Sequence, residues 1–281
     1  MFYYDNPLVD SIINLALNED IGSGDITTVS TIPVDKSATG KFIAKEEMVI
    51  CGIDLADHIF KKFDSSVIFK PHFKDGDALQ KGDVIAEVEG NARTLLVCER
   101  TVLNFMQHLS GIASKTAKAV KSVEGTKAKI TDTRKTTPGV RALEKYAIRV
   151  GGGTNHRFNL ASGVLIKDNH IAVSGGIKKA VENARKMIPH TLKIEVEVET
   201  IEQLMEALEA KADIIMLDNM PNDLMSECVK IASGRAIIEA SGNMGEKDLR
   251  EVAATGVDII SIGALTHSVK AADISLKFKI S

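Results

Sequence analysis

Tryptophan is absent from these 281 residues, tyrosine occurs three times, and aromatics make up 4% of the chain. So few rings exclude a base-stacking surface, and a formal net charge of -3 argues against nucleic acid as a partner. No apolar run approaches the roughly 20 residues that a bilayer span requires, so no membrane partner is expected. The opening MFYYDNPLVD lacks a basic stretch and a cleavage site; no signal peptide is expected, and the expected compartment is cytoplasmic. Cys51, Cys98 and Cys228 are odd in number and widely spaced. That pattern suggests neither a disulfide framework nor a zinc motif, and the three read as small buried hydrophobes in a reduced compartment.

Positive charge, by contrast, is concentrated. Between Arg134 and Lys167 stand Arg134, Lys135, Arg141, Lys145, Arg149, Arg157 and Lys167, with Glu144 as the only acid. Such a stretch focuses field on an anion, and arginine forks match carboxylate and phosphate. Gly151 to Gly153 let backbone approach closely where a side chain would block it. Arg141, Lys145 and Arg149 also follow helical spacing, so a solvated helix face is the plain alternative for those three.

Hydrophobic periodicity divides the chain. Residues 7–19 begin with Pro7 and place Leu8, Ile12, Leu15 and Ala16 on one helical face. Two glycines in 21–28, IGSGDITT, then signal a turn. A strand over 38–50, a helix over 52–63 with Leu55, Ile59 and Phe63 on one side, and short strands over 67–88 describe a small α+β domain. Residues 91–121 are helical, with Leu95, Val102, Met106 and Leu109 on the core face and Gly111 as a candidate break; the doublet Glu99-Arg100 inside it suggests an ion pair.

After Gly125 come six β/α alternations, with strands near 128–132, 163–167, 192–198, 213–217, 236–240 and 258–262. They imply a parallel sheet covered by helices. An eight-stranded barrel takes about 250 residues, so only a smaller or open barrel fits, with a flat doubly wound sheet as the alternative. The tail 274–280 alternates with period two and is expected to return as a strand to the first domain. The expected domains are 1–105 joined by 270–281, and 106–269.

In a parallel barrel, functional side chains sit at the carboxyl ends of strands. Those ends are Arg134-Lys135, Lys167-Asp168, Glu195 or Glu197, Asp218-Asn219, Ser241-Gly242-Asn243 and Gly263-Ala264. Glu197 and Asp218, on neighbouring strands, suit a hard cation such as Mg2+, or equally a charge network with Lys135 and Lys167. The alternation Glu195, Glu197, Glu199 puts three acids on one strand face. Small-residue turns after the last two strands suit phosphate, held by backbone N–H groups. His156, beside Arg157, suits a hydrogen bond to a carboxylate. His267 is a further candidate in the last turn, and His170 reads as a core or capping histidine.

The strings DTRKTTPGVRALEK, GGGTNHR and LIKDNH, with GSGDITT near the start and SIGALTH near the end, resemble the signature of the quinolinate phosphoribosyltransferase family. The resemblance implies an incomplete α/β barrel of about six parallel strands with an N-terminal α+β sandwich domain. It implies transfer of phosphoribosyl from phosphoribosyl pyrophosphate to quinolinate with decarboxylation, giving nicotinate mononucleotide, pyrophosphate and CO2 in NAD biosynthesis. The two quinolinate carboxylates would meet Arg134, His156, Arg157 and Lys167, with Arg100 reaching across a homodimer interface. Lys135, beside Thr133, would meet the pyrophosphate or the reacting centre. Glu197 and Asp218 would lie near ribose and Mg2+, and Ser241, Gly242, Asn243, Gly263, Ala264 and His267 near the 5-phosphate. Ala161-Ser162 departs from the family pattern, where many relatives carry an acid. A Schiff-base aldolase using Lys135 or Lys167, and a non-catalytic anion-binding relative, are the alternatives.

Overall fold

The structure, a computed structural model, describes residues 6–280. In chain order they form α1 (Pro7–Ile21), α2 (Ile26–Thr31), β1 (Ser37–Ala44), β2 (Met48–Val49), α3 (Ile53–Phe63), β3 (Ile68–Pro71), β4 (Ala78–Leu79), β5 (Val84–Asn91) and α4 (Ala92–Ser122). There follow β6 (Lys129–Thr131), α5 (Arg141–Val150), β7 (Val164–Ile166), α6 (Asp168–Ser174), α7 (Ile177–Met187), β8 (Ile194–Val198), α8 (Ile201–Glu209) and β9 (Ile214–Asp218). The chain ends with α9 (Asn222–Ala232), β10 (Ile237–Ser241), α10 (Leu249–Ala254), β11 (Ile259–Ser261), α11 (Ala264–His267) and β12 (Ile274–Ile280). Two compact units result.

The first unit holds the described residues up to Ala117, Thr137–Gly152 and those from Ser268 on. Its antiparallel sheet runs β12-β1-β5-β3, and Phe42 of β1 faces Leu276 of the tail strand and Ala86 of β5. Phe42, Phe60 and Phe69 pack ring to ring, with centroids about 6 Å apart. Several sequence expectations shift here. On α1 the buried stripe is Val9, Ile13 and Leu17, while Leu8 and Leu15 are exposed. Both stripes satisfy a 3.6-residue period, so tertiary packing chooses between them. On α3 it is Phe60, not Phe63, that joins Leu55 and Ile59 in the core. The strand expected over 38–50 is interrupted after Ala44, and the expected turn leads into α2, capped by the Asp25 side chain accepting the Thr28 N–H.

Helix α4 runs through residues 105 and 106, and through Gly111, without a break. A Cβ at Gly111 would lie 2.3 Å from the Lys270 carbonyl oxygen, so glycine admits a passing backbone here. Nor is the face Arg141–Lys145–Arg149 uniformly solvated: Arg149 is exposed, but Lys145 and Glu144 are buried, and Glu144 pairs with His108 Nε2 at 2.9 Å.

The second unit comprises Lys118–Thr136 and Gly153–His267. Its six parallel strands run β6-β11-β10-β9-β8-β7, with β6 and β7 unpaired with each other. Apolar residues dominate the strands because helices cover the sheet: Val196, Ile215, Leu217, Ala240 and Ile260 have no exposed surface. Residues 153–156 lie against β6 through a parallel bridge between Thr131 and Thr154. His156, anchored beside β6, nonetheless reaches Glu195 on β8 at 3.0 Å. In a flat sheet the four strand spacings from β6 to β8 amount to roughly 19 Å. The sheet is therefore curled into an open barrel, and the flat alternative is excluded.

Candidate active site

At the amino ends of the strands, a cavity of about 760 Å3 is lined by Lys127, Lys193, Lys211, Arg235, Asp213 and Asp258 among others. The two aspartates there are spent on the sheet: Asp213 accepts the Ile194 N–H and Asp258 the Ile238 N–H. The candidate site residues stand at the carboxyl ends.

Asp132, fully buried just past β6, accepts hydrogen bonds from the His156 backbone N–H at 2.8 Å and from Asn155 Nδ2 at 2.9 Å. It fixes the segment that presents His156 and Arg157. The Arg157 backbone N–H donates to His156 Nδ1 at 2.8 Å. A backbone N–H can only donate, so the ring proton sits on Nε2, which faces Glu195 Oε2 at 3.0 Å. Both nitrogens of His156 thus have protein partners, and the carboxylate it meets is the chain's own. Glu239 Oε1 lies 3.8 Å from the same Nε2. Burial, and then the charge of Glu195, push the Glu239 carboxyl up to about 7, against the opposing pull of His156 and the Ser261 hydroxyl.

Arg157 donates from Nη1 to the Gly163 carbonyl at 3.0 Å, while its Nε is buried without a hydrogen-bond partner. Burial and the neighbouring Arg134 charge lower its pKa from the ordinary guanidinium value, and Glu195 acts the other way. Two arginines close enough to repel in a partly buried setting suit an anion between them. Lys167, after β7, pairs with Glu197 on β8. Its backbone N–H donates to His170 Nδ1 at 3.0 Å, so His170 caps α6. Asp218 ends the adjacent strand β9 and accepts from Asn219 Nδ2 at 2.8 Å. Glu199 falls beyond β8 and is exposed, so only Glu195 and Glu197 share the strand's inner face.

Both small-residue turns are tight. Gly242 has φ +89, and a Cβ there would sit 2.2 Å from Asn219 Oδ1. Asn219 and Asn243 themselves adopt left-handed backbone, and the Asn219 N–H donates to the Ser241 carbonyl at 3.1 Å. After β11, a Cβ on Gly263 would meet the Lys135 side chain at 3.0 Å and the His267 ring at 3.2 Å. The Thr266 hydroxyl donates to the Lys135 carbonyl at 2.7 Å, and the Lys135 N–H to Thr133 Oγ1 at 3.0 Å. Lys135, Gly263 and His267 are therefore neighbours, with Ala264 opening α11 beside them.

The second unit thus gathers Thr133, Arg134, Lys135, His156, Arg157, Lys167, Glu197, Asp218, Ser241–Asn243, Gly263, Ala264 and His267 on the same ends of one sheet. Arg100 is an exposed residue of α4 in the first unit; burial raises the neighbouring Glu99 carboxyl, and the Arg100 charge opposes that rise. Sequence reasoning missed Asp132, Asn155 and Glu239. The acid inside the apolar strand Ile237–Ser241 was the available signal for Glu239.

An open α/β barrel whose strand ends combine a guanidinium pair, lysines and side-chain-free turns defines a barrel enzyme for phosphorylated, carboxylated substrates. Residues 25–110 match the quinolinate phosphoribosyl transferase N-terminal domain, and 112–277 the C-terminal domain of the same family. The probable nicotinate-nucleotide pyrophosphorylase (carboxylating) of Bacillus subtilis is 47% identical over 96% of this chain and 93% of its own. The corresponding protein of Methanocaldococcus jannaschii is 45% identical over 94% and 95%. Among solved structures, NadC from Streptococcus pyogenes superposes with TM-score 0.91 at 43% identity over 96% of each chain. The nicotinate-nucleotide pyrophosphorylase from Francisella tularensis gives 0.94 at 41% identity over 99% of each. The chain belongs to the quinolinate phosphoribosyl transferase family.

Proposed function

We infer that this protein transfers phosphoribosyl from phosphoribosyl pyrophosphate to quinolinate and decarboxylates the adduct, giving nicotinate mononucleotide, pyrophosphate and CO2 for NAD biosynthesis. The observation that carries the reading is the partly buried Arg134–Arg157 pair at the barrel mouth. A pyridine dicarboxylate offers one carboxylate to each guanidinium.

The chain's contribution is positioning and electrostatics. Arg134, Arg157 and Lys167 hold the carboxylates and aim the pyridine nitrogen at C1 of the ribose. The turns at Ser241–Asn243 and Gly263–Ala264, with His267, take the 5-phosphate through backbone N–H groups, and Lys135 takes the pyrophosphate. As the C1–O bond breaks, its electrons leave with pyrophosphate, and Glu197 and Asp218 stabilise the cationic ribose. The nitrogen lone pair forms the new bond to C1. The C2–carboxylate bond then breaks, the ring cation stabilises the electron pair left on C2, and a proton from water completes the product.

Two carboxylates on neighbouring strands, Asp218 among them half-exposed, form a hard oxygen donor set that fits Mg2+ shared with substrate phosphates. When bound there, the ion supplies charge neutralisation on the pyrophosphate. The same reading makes the enzyme a cytoplasmic homodimer, with exposed Arg100 offered to the site of the second copy. For Lys167 a Schiff-base role finds no support: its ammonium pairs with Glu197, whereas an amine nucleophile needs a neutral nitrogen.

Single-turnover release of labelled CO2 from quinolinate carrying the label in its 2-carboxylate tests the reading. Release dependent on phosphoribosyl pyrophosphate is expected; binding without release would leave an anion-binding relative.

A further inference from the structure

Glu239 is a buried acid that the reaction above leaves unused. It is 1% exposed, and its Oε1 has no hydrogen-bond partner. It shares a sheet row with Glu197, since both lie opposite Met216 of the strand between them. A buried carboxylate lacking full pairing is costly, and an apolar residue in this strand would hold the sheet at least as well. Its surroundings give the acid a use. Facing it are Glu195 from β8, the His156 ring and the Ser261 hydroxyl. Glu195 in turn acts on Arg157, which Arg134 neighbours, Asp132 anchors the His156 segment, and the Lys167–Glu197 pair lies further along β8.

We propose that Glu239 is a positioning residue that tunes the pocket for dianions: it braces the His156 ring with Glu195, and its charge state sets the attraction the arginine pair exerts on the substrate. This rests on the substrate reading above. With Glu239 neutral, the Arg134–Arg157 pair meets one negative charge fewer than with Glu239 ionised, so a dianion gains more. Binding a dianion therefore favours the neutral carboxyl, and near neutral pH it draws a proton onto Glu239.

Calorimetric titration of the full chain with quinolinate alone tests this, in buffers of different ionisation enthalpy at pH 6, 7 and 8. The substrate stays doubly ionised across that range. Wild-type protein is expected to take up a substantial fraction of a proton per quinolinate bound near pH 7. Its affinity is expected to fall on the order of tenfold from pH 6 to 8. Glu239→Gln, neutral and isosteric, should abolish the uptake and flatten the pH dependence. Binding by wild type without proton uptake overturns the proposal even if the variant does not fold, and so does an unchanged pH profile in a folded Glu239→Gln. Absence of any quinolinate binding by wild type instead overturns the substrate reading, and this proposal with it.

Discussion

The Asp132 carboxylate receives the backbone N–H of His156 at 2.8 Å, tying the end of β6 to the segment that carries Arg157. With Asn155 Nδ2 on its other oxygen, this buried acid serves as a bracket. Asp132→Ala should cost about 2 kcal/mol of stability, because two donors lose their acceptor in the interior. Quinolinate KM should also rise, since the arginine is no longer held in register. Thermal melts and steady-state kinetics measure the two effects, and an unchanged KM would reduce Asp132 to a folding element.

Arg157→Ala removes half of the guanidinium pair. Quinolinate affinity should drop about a hundredfold, as expected for a charge-assisted contact worth 2–3 kcal/mol. Affinity for phosphoribosyl pyrophosphate should change little. Separate binding isotherms for the two substrates check this, and equal losses for both would contradict the carboxylate assignment.

Gly242→Ala places a methyl group 2.2 Å from Asn219 Oδ1 at a residue with φ +89. The turn must open, so the KM for phosphoribosyl pyrophosphate should rise while quinolinate binding is largely retained. The 5-phosphate assignment to this turn would be lost if the opposite selectivity were measured.

The raised Glu239 carboxyl has a signed effect on stability. Its folded value is about 7, against an ordinary 4.5. Between those values the unfolded chain has released the proton that the folded chain keeps, so this group's contribution to stability declines as pH rises from about 4.5 to 7, then levels off. Glu239→Gln lacks the term. The melting temperature of the variant, relative to wild type, should therefore increase from pH 5 to 7.5; a constant difference would contradict the raised carboxyl.

Much of the site was readable before any fold was known. Strand periods ended at Lys167, Glu197, Asp218 and Ser241, and parallel α/β architecture puts chemistry at those ends. Glu239 escaped because a single acid in an apolar strand gives no sign of what its inner face meets. Asp132 escaped for a similar reason: its partners come from a segment more than twenty residues on, laid against β6 by a short bridge. On α1, two stripes fitted the helical period and burial selected the one containing Val9.

Residue order alone supplied the inventory: a cationic stretch, two glycine-containing turns, and the alternation that makes a parallel sheet. Local periodicity and turn chemistry act over a few residues, so they can be read along the chain. Curling of the sheet determined which charges meet, setting Glu195 and Glu239 against His156 and Arg134 beside Arg157. Hydrogen bonds and ion pairs in a buried site act over a few ångströms, and only the closing strands bring those distant positions within that reach.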